Sequence, residues 1–441
     1  LTPIDVVKYV SAFGRWLQQQ SDIHTVVVGR DGRITSPPIK RLVTNTLQML
    51  GYNVIDIGLT TTPTLAMYVP EAPAAGGIMV SASHNPEEWN ALKFFNLLGE
   101  LISEENVEEI KELFEDIGRL EFPSWEKVGT YFRERQALSH HINKILELPY
   151  VNTRAIRRAN FRIVVDGINS GGAIAIPELL KQLGVSKVIV LNGDPEEPFA
   201  HNPEPLPANL TKLGEAVVEQ GADLGIAVDP DGDRLVFFTE KGTCFGEEYT
   251  IVAVADYLLK RRPGPVVGNL STTMALRKVA EHYKQDYYET KVGEVWVVKK
   301  MKETGAVIGG EGNGGVIYPD LHYGRDALVG IALFLSYLAE ENVKASHLRK
   351  RYPDFSIVKT TIPLPSGLAV HQILERVQEK PPLPNPQVNT EDGVKLTYEK
   401  GWVHIRTSNT EPILRIYAEG PSEQDARFLI QKVQQTIQPY L

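Results

Sequence analysis

Ser81-Ala82-Ser83-His84-Asn85-Pro86 sets a hydroxyl in a tight polar turn, and Asp229-Pro230-Asp231-Gly232-Asp233-Arg234 alternates three carboxylates along a second one. The two suit one chemistry. A hydroxyl that carries a phosphoryl group needs a dication beside it, and alternating Asp residues in a turn can hold one. Two further polar segments follow, Gly310-Glu311-Gly312-Asn313-Gly314-Gly315 and Arg406-Thr407-Ser408-Asn409-Thr410-Glu411-Pro412.

Each segment has a plainer competitor. Ser, Asn and Pro are ordinary turn residues, so Ser83 alone is compatible with a simple turn. His84 beside it does not make a hydrolase triad, whose members meet through the fold, and the chain shows no G-x-S-x-G elbow at this serine. Asp229, Asp231, Asp233 and Glu240 fall at positions 1, 3, 5 and 12 of an EF-hand loop. Position 6 is Arg234 rather than Gly, and Leu235-Val236-Phe237-Phe238 reads as a strand where an EF-hand needs a helix. The three carboxylates are therefore read as Mg²⁺ ligands. Gly310 to Gly315 spells G-x-G-x-x-G, but Val316-Ile317-Tyr318-Pro319 stands where a dinucleotide-binding helix should begin. In the last segment, Arg406 and Ser408 fall on one side of an extended strand, with Arg415 shortly after. Guanidinium, hydroxyl and backbone N–H groups together suit a phosphate.

The elements that position these loops read as α/β. Val26-Val27-Val28 precedes a helical stretch from Ile39 to Leu50, stopped by Gly51; Ile163-Val164-Val165 precedes Ala173 to Leu183; Val266-Val267 precedes Thr273 to Tyr283. This echo predicts related α/β units with mainly parallel sheets. The last part differs: strands Val394 to Tyr398, Trp402 to Arg406 and Leu414 to Ala418 have hairpin spacing, closed by a helix from Ser422 to Ile437, with a Pro381–Pro386 loop before them. At 441 residues the chain exceeds one core. Boundaries are expected near 148, 247 and 354. A net charge of -9 carries no footprint for nucleic acid, and no run is long and apolar enough for a membrane span. One cysteine, Cys244, and no leader ahead of Leu1 give a cytoplasmic expectation.

With four motifs in this order over nearly the whole length, the chain resembles the α-D-phosphohexomutases. These enzymes interconvert hexose 1-phosphates and 6-phosphates through a phosphoserine and a 1,6-bisphosphate. The resemblance implies three similar mixed α/β domains plus a smaller C-terminal α+β domain around a central cleft. It makes 1–148 a phosphoserine domain, 149–247 metal-binding, 248–354 sugar-binding and 355–441 phosphate-binding, with the last one moving as a gate. Ser83 becomes the phosphoserine, with His84 and Lys93 as its catalytic neighbours; Asn90 and Lys93 match an N-x-x-K. Ser83, Asp229, Asp231 and Asp233 become ligands of Mg²⁺. Glu311 takes sugar O3 and O4, Asn313 replaces the family Ser, and Gly315 replaces a proton-transferring His, for which His322 and Arg325 are possible substitutes. Arg234, Lys291, Arg325, Arg406, Ser408, Asn409, Thr410 and Arg415 complete the substrate contacts. Gly29-Arg30-Asp31-Gly32-Arg33 resembles a segment that structures the loop beneath the phosphoserine. Relatives usually begin with an F-G-T-D-G-I-R-G-like segment, so some residues are expected ahead of Leu1. Expected partners are hexose phosphates and a hexose bisphosphate, with no nucleic acid or membrane, and a monomer or homodimer. The G-E-G-N-G-G variant and the W-N-A-L-K stretch (Trp89 to Lys93) look most like phosphoglucosamine mutase and phosphomannomutase relatives, and glucosamine phosphate is the expectation taken from them. The alternatives are mannose or glucose phosphate specificity, a metal-dependent sugar-phosphate phosphatase, and a non-catalytic sensor.

Overall fold

Runs of β-branched residues between glycine-marked turns build four sheets in the computed structural model, which describes residues 1–115, 122–364, 370–408 and 412–440. The first sheet contains β1 (Thr25–Arg30), β2 (Asn53–Leu59), β3 (Gly76–Val80), β4 (Leu92–Phe95) and β5 (Tyr131–Arg133), ordered β4-β3-β1-β2-β5. The second holds β6 (Arg162–Asp166), β7 (Lys187–Leu191), β8 (Leu224–Val228) and β9 (Leu235–Thr239), ordered β7-β6-β8-β9. In the third, β10 (Val266–Asn269), β11 (Tyr287–Thr290), β12 (Ile308–Glu311) and β13 (Gly315–Ile317) run β11-β10-β12-β13. All three repeat one plan. The first strand lies between the second and third in parallel, and the fourth returns antiparallel on the third.

That last strand departs from the mainly parallel sheets the alternation predicts. The reason is connection length: between β8 and β9, and between β12 and β13, the chain has room for a hairpin but not for a crossover helix. The consequence is functional. Ser83, the Asp loop and the Glu311 loop all sit at the same place in their units, the hairpin joining third strand to fourth. The fourth sheet is antiparallel, with β14 (Ser356–Pro363), β15 (Gln387–Asn389), β16 (Val394–Tyr398), β17 (Gly401–Thr407) and β18 (Ile413–Gly420) ordered β14-β18-β17-β16-β15. Its motif segment likewise joins two hairpin strands, β17 and β18.

Local chemistry explains where the helices differ from expectation. The helix Ser36–Met49 starts three residues before Ile39 because Pro37 and Pro38 fit its first turn, where no N–H is needed. It stops at Gly51, whose φ of +89° places it in the left-handed region. The helix Gly171–Leu183 ends the same way, at Gly184 with φ +84°. The second and third units share one continuous core, in which Phe237 stacks on Phe334 at 3.9 Å. The C-terminal sheet packs its own separate core against the helix Glu423–Ile437. Among the described residues no helix is long and apolar enough to cross a membrane.

Candidate functional site

β3 ends at Val80, and the chain then turns so that Ser83 takes a φ of +50°, a left-handed conformation that costs a residue with a Cβ. The turn is held from below. Arg33 is fully buried and donates to the carbonyls of Ser83 (2.6 Å), Asn85 (2.8 Å) and Pro86 (2.9 Å), while its Nε lies 3.1 Å from Asp31. The Ser83 amide donates to Ser81 Oγ at 2.9 Å. These bonds aim Ser83 Oγ at Asp229 Oδ2, 2.6 Å away across 146 residues of sequence. His84 lies beside it, Nδ1 3.4 Å from Ser83 Oγ and Nε2 3.3 Å from Arg234. Burial, with Arg234 and Arg325 nearby, drops the His84 pKa to about 3 and keeps the imidazole neutral.

Asp229, Asp231 and Asp233 are buried, with ligand oxygens all within 4.8 Å of one another. Gly232 supplies the turn with a φ of +69°. Lys93 on β4 reaches across, Nζ 2.5 Å from Asp231 Oδ2 and 3.0 Å from Asp233 Oδ2. Burial opposes its charge, but the two carboxylates outweigh that and hold its pKa above the ordinary lysine value. The Thr62 hydroxyl adds a bond to Asp231, which stays ionised well below the ordinary range, although burial opposes this. Asp229 goes the other way: burial and then its two acidic neighbours raise it well above the usual value.

This donor set fits a dication. Asp231 Oδ1 and Asp233 Oδ1 are buried without a hydrogen-bond partner, and a buried charged oxygen left so is costly. The raised Asp229 reports repulsion that a cation would relieve. An all-oxygen set is suited to a hard metal ion. The EF-hand alternative is excluded by β9, which leaves the loop as a strand, and by Glu240, which accepts from Ser346 instead.

On the β12–β13 hairpin, Glu311 Oε1 accepts from Asn269 Nδ2 at 2.9 Å and from Gly293 N at 3.1 Å. Its Oε2 lies 3.0 Å from Arg325. Arg325 also reaches Asp233 (2.8 Å) and Glu294 (2.8 Å), so one largely enclosed guanidinium ties the acidic loop to the Glu311 loop. A Cβ on Gly315 would come within 2.4 Å of Arg325 Cδ, so the arginine stem fills the space a side chain at 315 would need. His322, considered as a substitute for the absent histidine, points elsewhere: its Nε2 lies 3.2 Å from Asp326, whose carboxylate also meets buried His141 at 2.8 Å.

The hairpin loops meet the last sheet around one cavity of ≈ 160 Å³, lined by residues including His84, Arg234, Glu311, Asn313, Arg406 and Arg415. Arg406 and Arg415 are cross-strand partners on β17 and β18, and Arg415 donates to Ser408 Oγ at 3.3 Å. Asn409 and Thr410 lie outside the described residues. Lys291 does not line the cavity; its ammonium sits 4.4 Å over the Trp296 ring. Asn90 holds Thr35 and Ser36 rather than facing the carboxylates. Sequence reasoning missed Glu247, Glu248, Ser271, Lys359 and Tyr417, which also line the cavity. The only signal for the first pair is an acidic Glu-Glu after Gly246 opening an apolar helix, which reads equally as helix-dipole compensation. Nothing marks Lys359 or Tyr417 on their strands.

The chain matches the phosphoglucomutase/phosphomannomutase family along four consecutive pieces. These are alpha/beta/alpha domain I over residues 1–121, domain II over 139–242, domain III over 246–355 and the C-terminal domain over 365–434. A protein of Methanopyrus kandleri described as a probable phosphoglucosamine mutase is 36% identical, over 94% of this chain and 90% of that protein. A phosphoglucomutase/phosphomannomutase of Thermococcus kodakarensis is 34% identical over 97% and 93% respectively. Among solved structures, a phosphoglucomutase/phosphomannomutase family protein of Burkholderia thailandensis superposes with a TM-score of 0.85 at 25% identity, covering 100% of this chain and 94% of that one.

Proposed function

We propose that this chain, which belongs to the phosphoglucomutase/phosphomannomutase family, interconverts the 1- and 6-phosphates of a hexose, with glucosamine phosphate preferred. The observation that carries the reading is the contact of Ser83 Oγ with Asp229 Oδ2, which puts a hydroxyl against a buried triad of carboxylates. Asp229, Asp231, Asp233 and an oxygen of phosphorylated Ser83 would hold Mg²⁺, which supplies charge neutralisation for the transferring phosphoryl group.

The chain's own residues do the rest. In the forward transfer the bond from phosphorus to Ser83 Oγ breaks and one to the sugar O1 or O6 forms, giving the 1,6-bisphosphate. The sugar hydroxyl that attacks gives up its proton to the imidazole of His84, the base nearest Oγ, and His84 hands a proton to the departing Ser83 Oγ, so the imidazole ends neutral as it began. Lys93, held protonated, neutralises charge at the acidic loop rather than relaying protons. Arg406, Ser408 and Arg415, with Asn409 and Thr410, take the phosphate that is not reacting. Glu311 accepts from sugar hydroxyls in both orientations. The bisphosphate then turns over and returns its other phosphoryl group to Ser83. The separate core of the last sheet suits a domain that swings to admit substrate and closes to exclude water. Preference for glucosamine is supported by the 36% identical relative, whose description names that sugar. Such substrates, with a single free cysteine, suit the cytoplasm.

The test is ³¹P NMR of the protein with Mg²⁺ and a hexose 1,6-bisphosphate primer, offered glucosamine, mannose and glucose 6-phosphates in parallel. A growing 1-phosphate resonance, fastest with glucosamine, is expected. Inorganic phosphate alone would mean a phosphatase, and no change in any tube would mean a sensor.

A further inference from the structure

The cavity must accept two phosphates, and cations line it accordingly: Arg234, Lys359, Arg406 and Arg415. Four carboxylates line it too. Three of them have a protein cation of their own. Glu204 pairs with Arg234 at 3.7 Å, Glu247 with Lys359 at 2.8 Å, and Glu311 with Arg325 at 3.0 Å. Glu248 is the exception: its nearest cation is that same Lys359, at 4.0 Å and already held by Glu247. Its Oε2 accepts from a neutral donor, Thr273 N, at 3.1 Å.

A carboxylate so placed repels a dianionic ligand unless the ligand brings a cation to it. Burial, and then the neighbouring Glu247 and Glu419, push the Glu248 carboxyl well above its ordinary value, which is how a site short of positive charge behaves. Position narrows the choice of ligand. Glu248 sits against the Glu311 loop so closely that a Cβ on Gly312 would lie 1.8 Å from Glu248 Oε2. Gly312 is thus a glycine because Glu248 occupies its side-chain space. A sugar whose O3 and O4 meet Glu311 presents its C2 substituent beside O3, and in one of its two orientations that side is the one Glu248 occupies. Glucose and mannose carry a neutral hydroxyl at C2. Glucosamine carries an ammonium.

We infer that Glu248 is the specificity residue that binds the C2 ammonium of an amino-hexose phosphate. The inference rests on the phosphohexomutase reading above and adds to it the group that selects the sugar. A neutral N-acetylated sugar gains nothing from this carboxylate.

The test compares the wild type with Glu248→Gln, which keeps an oxygen for Thr273 N and removes only the charge. kcat/KM is measured with glucosamine 6-phosphate and with glucose 6-phosphate, with Mg²⁺ and a bisphosphate primer. The glucosamine-to-glucose ratio should fall on the order of 10- to 100-fold, the worth of one charge-assisted contact. Glu248→Asp, which keeps a shortened carboxylate, should retain the preference for glucosamine. An unchanged ratio in Glu248→Gln, or equal losses with both sugars, would overturn the inference and leave Glu248 a structural partner of Thr273. A wild type active on both sugars without preference would overturn it too. A wild type that makes no 1-phosphate from either sugar would overturn the phosphohexomutase reading itself, and this inference with it.

Discussion

Replacing Arg33 by lysine tests whether the Ser83 turn is positioned from beneath. The guanidinium is fully buried, bonds three successive-turn carbonyls and pairs with Asp31. A lysine ammonium keeps the charge and the Asp31 pair, but from one nitrogen it reaches at most one of the three carbonyls. Two hydrogen bonds to a charged donor are lost, about 3–6 kcal/mol gross at ~1.5–3 kcal/mol each. Water reaches the exposed Pro86 and half-buried Asn85 and returns part of this, leaving about 2–4 kcal/mol. Released from the clamp, Ser83 relaxes from its left-handed φ of +50°, and Oγ moves off Asp229. Misplacement of a reacting atom by about 1 Å costs about 100-fold in kcat. KM should change little, because Arg33 does not line the cavity. Steady-state mutase kinetics and thermal denaturation, run together, read both effects. A variant that loses stability as stated yet keeps kcat within about threefold would refute the positioning argument.

Other consequences follow from the same geometry. Mg²⁺ should raise the melting temperature, by the equivalent of about 2.7 kcal/mol at a hundredfold excess over Kd, and Asp231→Asn should abolish most of that rise in a thermal-shift assay with and without chelator. Glu419, buried between Trp402 and the Met274 amide, has its pKa raised from 4.5 to about 7, chiefly by burial and against the pull of Lys395. Its folded pKa exceeds its unfolded one, so stability should fall as pH rises from 4.5 through 7, by up to about 3.5 kcal/mol at ~1.4 kcal/mol per unit. Melting temperatures at pH 5 and pH 8 should differ less in Glu419→Gln than in the wild type. Gly315→Ala drives a methyl group against the Arg325 stem, so it should cost about 1–3 kcal/mol by overpacking and lower kcat through the displaced Asp233 and Glu311 contacts.

Local periodicity carried the architecture. Strands Val394–Tyr398 and Gly401–Thr407, the helix Glu423–Ile437 and the Gly51 stop appear where alternation, capping and glycine placed them. The α/β units repeat as the strand-then-helix echo suggested. What periodicity could not give was the antiparallel fourth strand of each unit, because a run of three to five residues does not encode the direction of its neighbour. The loops were legible because each packs its chemistry into consecutive residues. Arg325 was legible as a site candidate but not as a tie, since its three carboxylates come from residues 233, 294 and 311. Glu248 shows the limit most clearly: its meaning depends on Gly312 and Lys359, which lie far along the chain, and on the pairing of every other carboxylate in the cavity. Lys291 illustrates the converse, a residue picked out by local pattern that the fold turns onto Trp296.

The most direct measurement is the phosphorylation state of Ser83 through one cycle, read by intact-mass and peptide mass spectrometry. Dephosphorylated protein is treated with a hexose 1,6-bisphosphate and Mg²⁺, then with excess hexose monophosphate lacking primer. The account predicts one phosphate on Ser83 after the first step and its transfer to sugar, as bisphosphate, in the second. A phosphate on another residue, none at all in a turning-over enzyme, or full mutase activity in Ser83→Ala would contradict it.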